Sequence, residues 1–304
     1  MKVAAIQMTS GPDVGENLTQ AARWLEEAAA AGARLAVLPE NFAFMGLKDA
    51  DKRAIAEEDG SGPIQDFLAD VARRTRMWVI AGTVPVRAGP RSLQRPGNQQ
   101  GPDSPQGPDG RVAAASVVYD AEGRRVGRYD KIHLFDVDIP GRIEAYRESA
   151  HVAPGTRSAL VDTPAGRVGL SVCYDVRFPE LYRSLSDAGA QILTVPSAFT
   201  GPTGRAHWET LLRARAIENL CHVIAPAQSG FHANGRETYG DSMIIDHWGR
   251  ILRRLPRGQG SVVADVDLEA QAEVRRNFPA LQHRVLPAAG PLLAAGDDFL
   301  RESV

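Results

Sequence analysis

The chain opens with a short, almost unbroken apolar run, Lys2 to Met8, which is the pattern of a buried strand. The period then changes. From Asn17 to Ala31, apolar Leu18, Ala21, Leu25 and Ala28 recur every three or four positions and predict a helix. Arg34 to Pro39 is again compact and apolar, a predicted strand whose end, Pro39-Glu40, enters a loop. Pro63 to Thr75 returns to helical spacing, with Ile64, Phe67, Leu68 and Val71 on one side, and Met77 to Val84 reads as one continuous strand. This β-α-β-α-β order predicts an α/β fold with helices packed on a sheet.

Ala88 to Gly110 has no apolar period, and five of its residues are Gly and five Pro, so a surface loop is expected there. Strand patterns resume at once, at Ala113 to Tyr119 and Val126 to Lys131 around a turn at Ala121-Glu122-Gly123. The opening theme then recurs: a strand at Arg167 to Cys173, a helix at Phe178 to Asp187, a strand at Gln191 to Val195, a helix at Arg205 to Leu220 and a strand at Cys221 to Ala225. Tyr239 to Asp246, Arg250 to Leu255 and Gly260 to Val266 read as strands linked by hairpins, and Glu269 to Arg276 as a short helix. The expected organisation is a single domain over residues 1–270, followed by an irregular extension, 271–304, that wraps a partner subunit.

Composition narrows the function classes. Among 304 residues, 35 Lys and Arg nearly balance 37 Asp and Glu, which gives no support to broad binding of nucleic acid or an acidic membrane. No apolar run approaches the ~20 residues that span a bilayer, and Gln7 and Thr9 interrupt any secretory pattern, so a cytoplasmic protein is expected. Two cysteines, Cys173 and Cys221, are too few for a disulfide scaffold. Neither a G-x-S-x-G elbow, nor a phosphate loop, nor close histidine spacing occurs, so no cofactor and no metal are implied.

Cys173 stands out. It follows the strand Val168-Gly169-Leu170-Ser171-Val172 and precedes the helix started by Phe178-Pro179-Glu180, where Pro179 suits the first turn. A strand-to-helix turn fixes a side chain at a sheet edge, and a helix N-terminus favours a thiolate; the alternative is an inert buried thiol. Cys221, inside Leu220-Cys221-His222-Val223-Ile224, reads as core. Glu40, ending a buried strand, is either functional or a cap, since a buried carboxylate is costly unless paired. Lys131 is either functional or a snorkelling surface lysine. Glu148 reads as an ordinary polar loop residue.

Taken together, Pro39-Glu40-Asn41-Phe42, Tyr129-Asp130-Lys131-Ile132-His133-Leu134-Phe135-Asp136 and Val172-Cys173-Tyr174-Asp175-Val176-Arg177-Phe178-Pro179-Glu180 resemble the three signature segments of the nitrilase, or carbon–nitrogen hydrolase, superfamily, in order. Their three central residues lie 91 and 42 positions apart, and the resemblance covers residues 1–270. Ile139-Pro140-Gly141, Ser197-Ala198-Phe199-Thr200, Ala206-His207-Trp208-Glu209, Leu212 to Asn219 and Tyr239-Gly240-Asp241-Ser242-Met243 resemble the amidases of its Nit branch. Ala227-Gln228-Ser229-Gly230 and His232 are similar to those acting on deaminated glutathione.

The resemblance implies a four-layer αββα sandwich and a homodimer or higher homo-oligomer. It also implies a Glu-Lys-Cys triad at Glu40, Lys131 and Cys173, with Glu148 as a second glutamate orienting Lys131. Cys173 would attack the amide carbonyl, Glu40 would move the protons, and Lys131 with the Tyr174 N–H would hold the oxyanion. The implied partner is a small amide bearing a carboxylate, cleaved through a thioester with release of ammonia or an amine. Deaminated glutathione leads, and α-ketoglutaramate and N-carbamoyl compounds are the alternatives. Arg177, four residues past Cys173, would bind the substrate carboxylate unless it pairs with Glu180 or Asp175. Phe199 and Thr200 would line the same rim. A catalytically silent scaffold of the same fold is the non-enzyme alternative.

Overall fold

The computed structural model describes residues 1–88, 110–138 and 145–285. The first half runs β1 (Lys2–Gln7), α1 (Val14–Ala30), β2 (Leu35–Val37), α2 (Pro63–Thr75), β3 (Trp78–Ile80), β4 (Val84–Arg87), β5 (Val112–Tyr119) and β6 (Arg125–Asp130). Three short strands follow: β7 (Asp136–Asp138), β8 (Ala145–Arg147) and β9 (Val152–Ala153). The second half begins with β10 (Ala159–Thr163), β11 (Gly166–Leu170), α3 (Pro179–Asp187), β12 (Ile192–Thr194), α4 (Gly201–Asn219) and β13 (His222–Ala225). It ends with β14 (Ser229–Phe231), β15 (Glu237–Tyr239), β16 (Ser242–Ile245), β17 (Ile251–Leu255), β18 (Gly260–Asp265) and α5 (Leu268–Asn277).

Two large sheets result. One has the order β18-β1-β2-β3-β5-β4, with β6 and β9 also on β5; the other has the order β10-β11-β12-β13-β16-β17. β1, β2 and β3 are parallel, as are β11, β12 and β13, because each pair is joined through a helix. Side-chain alternation along β1 and β2 sets the layers. Ala4, Ile6, Ala36 and Leu38 face Ala21, Leu25, Ile64 and Leu68 of α1 and α2. Val3, Ala5, Leu35 and Val37 face the other way, into a core shared with Val168, Leu170, Ile192, Ile224 and Ile244 of the second sheet. Leu181, Leu185, Trp208 and Leu212 of α3 and α4 close that sheet's far side. The fold is the expected αββα sandwich, and its helix-linked parallel strands carry the site loops at their C-terminal ends.

Several elements differ from the sequence pattern. The apolar run Met77 to Val84 is two strands, β3 and β4, broken at Ala81-Gly82-Thr83. Gly82 packs directly on the loop after β2, where a Cβ would overlap the Pro39 carbonyl. Tyr239 to Asp246 also splits, into β15 and β16, because Gly240 (φ +76°) and Asp241 (φ +64°) turn the chain between them. β16 and β17 form the expected antiparallel pair, but β18 leaves for the other sheet and pairs with β1. α1 starts at Val14, earlier than its apolar spacing, because the Asp13 side chain caps it through the Glu16 N–H. α4 starts at Gly201, which leaves Thr200 at its N-cap. The edge strands β10 and β14 and the pair β7–β8 are too short and polar to show in the pattern. The Gly/Pro-rich stretch 89–109, Pro140-Gly141 with its neighbours in 139–144, and the tail 286–304 lie outside the described residues.

α5 crosses residue 270 and is tied to the second sheet: Gln271 Nε2 donates to the carbonyls of Gln191 (2.8 Å) and Leu220 (2.8 Å). Among the described residues, no helix is long and apolar enough to cross a membrane, and no cluster of His, Cys, Asp or Glu could hold a metal ion.

Candidate active site

Three loops meet where the two sheets face each other. Glu40 follows β2, held from both sides: Asn41 N–H donates to Thr83 Oγ1 at 2.8 Å, and Gln228 Nε2 donates to the Glu40 carbonyl at 3.0 Å. Lys131 follows β6; its N–H donates to Ala114 O at 3.1 Å and its carbonyl accepts from Gly155 N at 2.8 Å. Cys173 opens a 3₁₀ turn, Cys173–Arg177, three residues beyond the end of β11, with its N–H on Pro196 O at 2.9 Å. Both Cys173 (φ +48°) and Asn41 (φ +57°) occupy the left-handed region, which costs a non-glycine residue of order 1 kcal/mol or more and recurs at functional turns.

The side chains converge. Lys131, 1% exposed, places Nζ 2.8 Å from Glu40 Oε1 and 2.8 and 3.0 Å from the two oxygens of Glu148. This is no snorkelling lysine, and Glu148 is no idle loop residue: its Oε2 also accepts the Phe135 N–H at 2.7 Å. The Cys173 thiol hydrogen-bonds the Glu40 carboxylate and receives the Ala198 N–H. Among the described residues no acceptor takes the Tyr174 N–H, the second donor on the turn.

Burial alone would raise the Glu40 carboxyl, but the charge and hydrogen bond of Lys131, with the bond from Cys173, hold it below its ordinary value. Burial would lower Lys131, yet Glu148 and Glu40 push it well above its ordinary value. The Cys173 thiol is pushed up, by burial first and by the Glu40 charge second, with Lys131 opposing. The helix-terminus argument for a thiolate therefore fails here: burial and an anionic neighbour outweigh the few peptide dipoles of the turn. At neutral pH the site holds an ionised base bonded to a neutral thiol, with a fixed ammonium beside both.

Asp175, fully buried, is the residue that the sequence pattern passed over. Its Oδ2 accepts from Tyr129 Oη (2.7 Å) and Val172 N (2.8 Å), and its Oδ1 from His133 N (3.1 Å), with His133 Nδ1 at 2.7 Å. One carboxylate thus locks the cysteine turn to the strand end that carries Lys131. Its position inside the third signature segment was the available signal, and only the fold reveals what it bonds.

The triad opens into a cleft, and Tyr174, Arg177, Phe199 and Thr200 all line it. Arg177 forms no ion pair with Asp175 or Glu180. Its guanidinium lies 5.4 Å from the Phe199 ring and 5.7 Å from the Tyr174 ring, with Nη1 3.3 Å from His207 Nδ1. Asp49, Lys52, Tyr146 and Arg236 also reach the cleft. Asp49 and Lys52 come from a 3₁₀ turn, Tyr146 from the short strand β8 and Arg236 from the turn before β15, none of them in a stretch whose apolar period pointed to the site.

The carbon-nitrogen hydrolase family profile matches residues 2–276. A deaminated glutathione amidase from Synechocystis sp. is 42% identical over 93% of this chain and 97% of its own length. The crystal structure of the C. elegans NitFhit protein superposes with a TM-score of 0.80 at 36% identity, covering 93% of this chain; the chain spans 64% of that longer protein. An amidase from Nesterenkonia sp. AN1, solved with acrylamide added to its active site cysteine, matches at 25% identity and TM-score 0.71, over 91% of this chain and 99% of its own.

Proposed function

The chain belongs to the carbon-nitrogen hydrolase family and hydrolyses non-peptide carbon–nitrogen bonds; from that premise we propose that its substrate is deaminated glutathione, cleaved through a thioester on Cys173. The observation that carries the mechanism is the buried Glu40–Lys131 contact of 2.8 Å with the Cys173 thiol bonded to the same carboxylate. Deaminated glutathione is an α-ketoglutaryl group in amide linkage to cysteinylglycine. As sulfur attacks the amide carbonyl, Glu40 takes the thiol proton and the carbonyl electrons move onto oxygen. That oxyanion lies between Lys131 and the Tyr174 N–H; one of the two Lys131 contacts to Glu148 is free to give way to it. Collapse breaks the C–N bond, Glu40 passes its proton to the departing nitrogen, and cysteinylglycine leaves. Glu40 then takes a proton from water, whose oxygen attacks the thioester; collapse breaks the C–S bond, releases α-ketoglutarate, and Glu40 returns its proton to the sulfur, which restores the thiol. Glu148 fixes Lys131 and transfers no proton.

Arg177, on the same turn as the nucleophile and with no carboxylate partner among the described residues, suits the keto-acid carboxylate of the acyl half, and Phe199 and Thr200 wall that side. The deciding assay is α-ketoglutarate formation from deaminated glutathione and from α-ketoglutaramate, since both yield that product, with Cys173→Ala as blank. Higher kcat/KM for deaminated glutathione is the expected result. The reverse preference moves the protein to the ω-amidases, and no product from either removes the substrate assignment.

In the same proposal, residues 1–270 are the catalytic domain, and two copies pair through the extension from residue 271. Half-exposed Ile217, Trp248 and Phe278 support this: the Trp248 and Phe278 rings lie 5.6 Å apart, and Ile217 packs beside the Gly249 turn, a patch of the kind that marks an interface. Sedimentation should give a dimer that Trp248→Arg weakens; a monomeric wild type overturns the pairing. The unpaired thiols of Cys173 and Cys221 support a reducing compartment, the cytoplasm, which cell fractionation tests.

A further inference from the structure

The cleft wall carries more positive charge than the reaction uses. Among the described lining residues, Lys131 stands against two carboxylates, Glu40 and Glu148, and Lys52, Arg177 and Arg236 stand against one further carboxylate, Asp49, which leaves a net surplus of one positive charge. A surplus of that sign favours an anionic substrate. The two arginines stand at opposite ends of an aromatic row. Tyr146, Phe135 and Tyr174 follow one another at centroid spacings of 5.1 Å and 5.1 Å. Arg236 lies 5.0 Å over the Tyr146 ring, and Arg177 lies 5.7 Å over the Tyr174 ring.

Arg236 is held in place with bonding capacity left over. It sits in the turn between β14 and β15, where its N–H donates to Asn234 Oδ1 (3.0 Å) and its carbonyl accepts from His232 N (2.9 Å). Asn234 Nδ2 in turn donates to Gly46 O at 3.0 Å. In the guanidinium, Nη2 donates to Ala198 O at 2.8 Å, but the buried Nε has no acceptor among the described residues. A buried donor left unmade is costly, and a carboxylate laid along the guanidinium edge supplies the missing acceptor with charge assistance.

We propose that Arg236 is a specificity-determining residue that binds the carboxylate of the leaving amine, while Arg177 holds the carboxylate of the acyl half. The division follows from the row: Arg177 shares the turn of Cys173 and reaches what remains on sulfur, and Arg236 reaches what departs. This rests on the proposed function, and it makes the preferred substrate an amide flanked by two carboxylates.

The test uses three substrates: deaminated glutathione, its glycinamide analogue, in which the leaving-group carboxylate is neutralised, and α-ketoglutaramate, which has only the acyl-side carboxylate. Wild type should prefer the acid to the glycinamide by about 10- to 100-fold in kcat/KM, the range of a charge-assisted hydrogen bond. Arg236→Gln should lose that factor on deaminated glutathione, mainly through KM, and stay within about twofold of wild type on the other two, with Arg236→Lys recovering part of it. Equal losses on all three substrates, or wild type that cleaves acid and glycinamide alike, overturn the assignment; the wild-type comparison decides even where the variant fails to fold. Wild type that cleaves α-ketoglutaramate but not deaminated glutathione overturns the function reading itself, and the assignment with it.

Discussion

At the scale of single residues, the account turns on Glu40 being ionised while Cys173 is not. Because Lys131 holds the Glu40 carboxyl below its ordinary value, the base stays charged as pH falls. The acid limb of kcat/KM should therefore lie below the ordinary carboxylate pKa; a limb above that value contradicts the ion pair. Glu40→Gln removes the base and should lower kcat by about 10²- to 10⁴-fold. The same change deletes the negative charge that helps push Cys173 up, so the pH midpoint of Cys173 alkylation by iodoacetamide should move down as activity falls. Cys221, fully buried and pushed up to about 11 by burial, serves as the slow internal reference. An unmoved Cys173 midpoint would separate the two groups. Glu40, Lys131 and Cys173 were legible in the chain because each sits in a recognisable segment. Their protonation was not, since it depends on partners 91 and 42 positions away that only folding brings close.

Elements matter here by what their ends press against. Gly82 interrupts an apolar run that otherwise reads as one strand, and it does so because the backbone of Pro39-Glu40 passes where a side chain would stand. Gly82→Ala should shift the loop bearing Glu40 and lower kcat by at least about tenfold, since small misplacements of a reacting group are costly in rate. Circular dichroism and activity measured on the same sample check this, and full activity would show that the loop tolerates the methyl. Asp175→Asn keeps the shape but weakens a carboxylate that takes bonds from Tyr129, Val172 and His133. It should cost about 1–3 kcal/mol in thermal or denaturant unfolding and lower kcat more than it raises KM. Helix α2 was legible from its apolar spacing and α3 from its first-turn proline, Pro179. β15 and β16 were fused in the pattern because a turn built on Gly240 and Asp241 leaves no break in apolar content.

For the whole molecule, a buried histidine pair away from the cleft adds to the acid sensitivity of the fold. His222 and His247 pack ring to ring at 5.1 Å, and burial, followed by the neighbouring His247, lowers His222 to about 4. Folded, it stays neutral; unfolded, it takes a proton near 6.5. The stability it contributes is whole above 6.5 and is lost as pH falls toward about 4, roughly 3 kcal/mol for this group. His232 and His247 are lowered in the same direction, first by burial. Wild type should therefore lose unfolding free energy between about pH 7 and about pH 5, with a smaller loss in His222→Gln; equal slopes would show that other groups set the dependence. The repeated β-α-β-α-β order made helices packed on a sheet legible, while the stacking of two sheets followed only from the family resemblance. The crossing of β18 to the first sheet was not, because a strand's sequence carries its faces but not its partner.

The central claim is that hydrolysis passes through a thioester on Cys173, and the most direct test is to acid-quench the enzyme during turnover of deaminated glutathione and weigh it intact and as peptides. One hydroxylamine-labile α-ketoglutaryl group on the peptide containing Cys173, absent from Cys173→Ala, is the predicted result. Sustained turnover with no adduct on Cys173, or activity retained in Cys173→Ala, would contradict it.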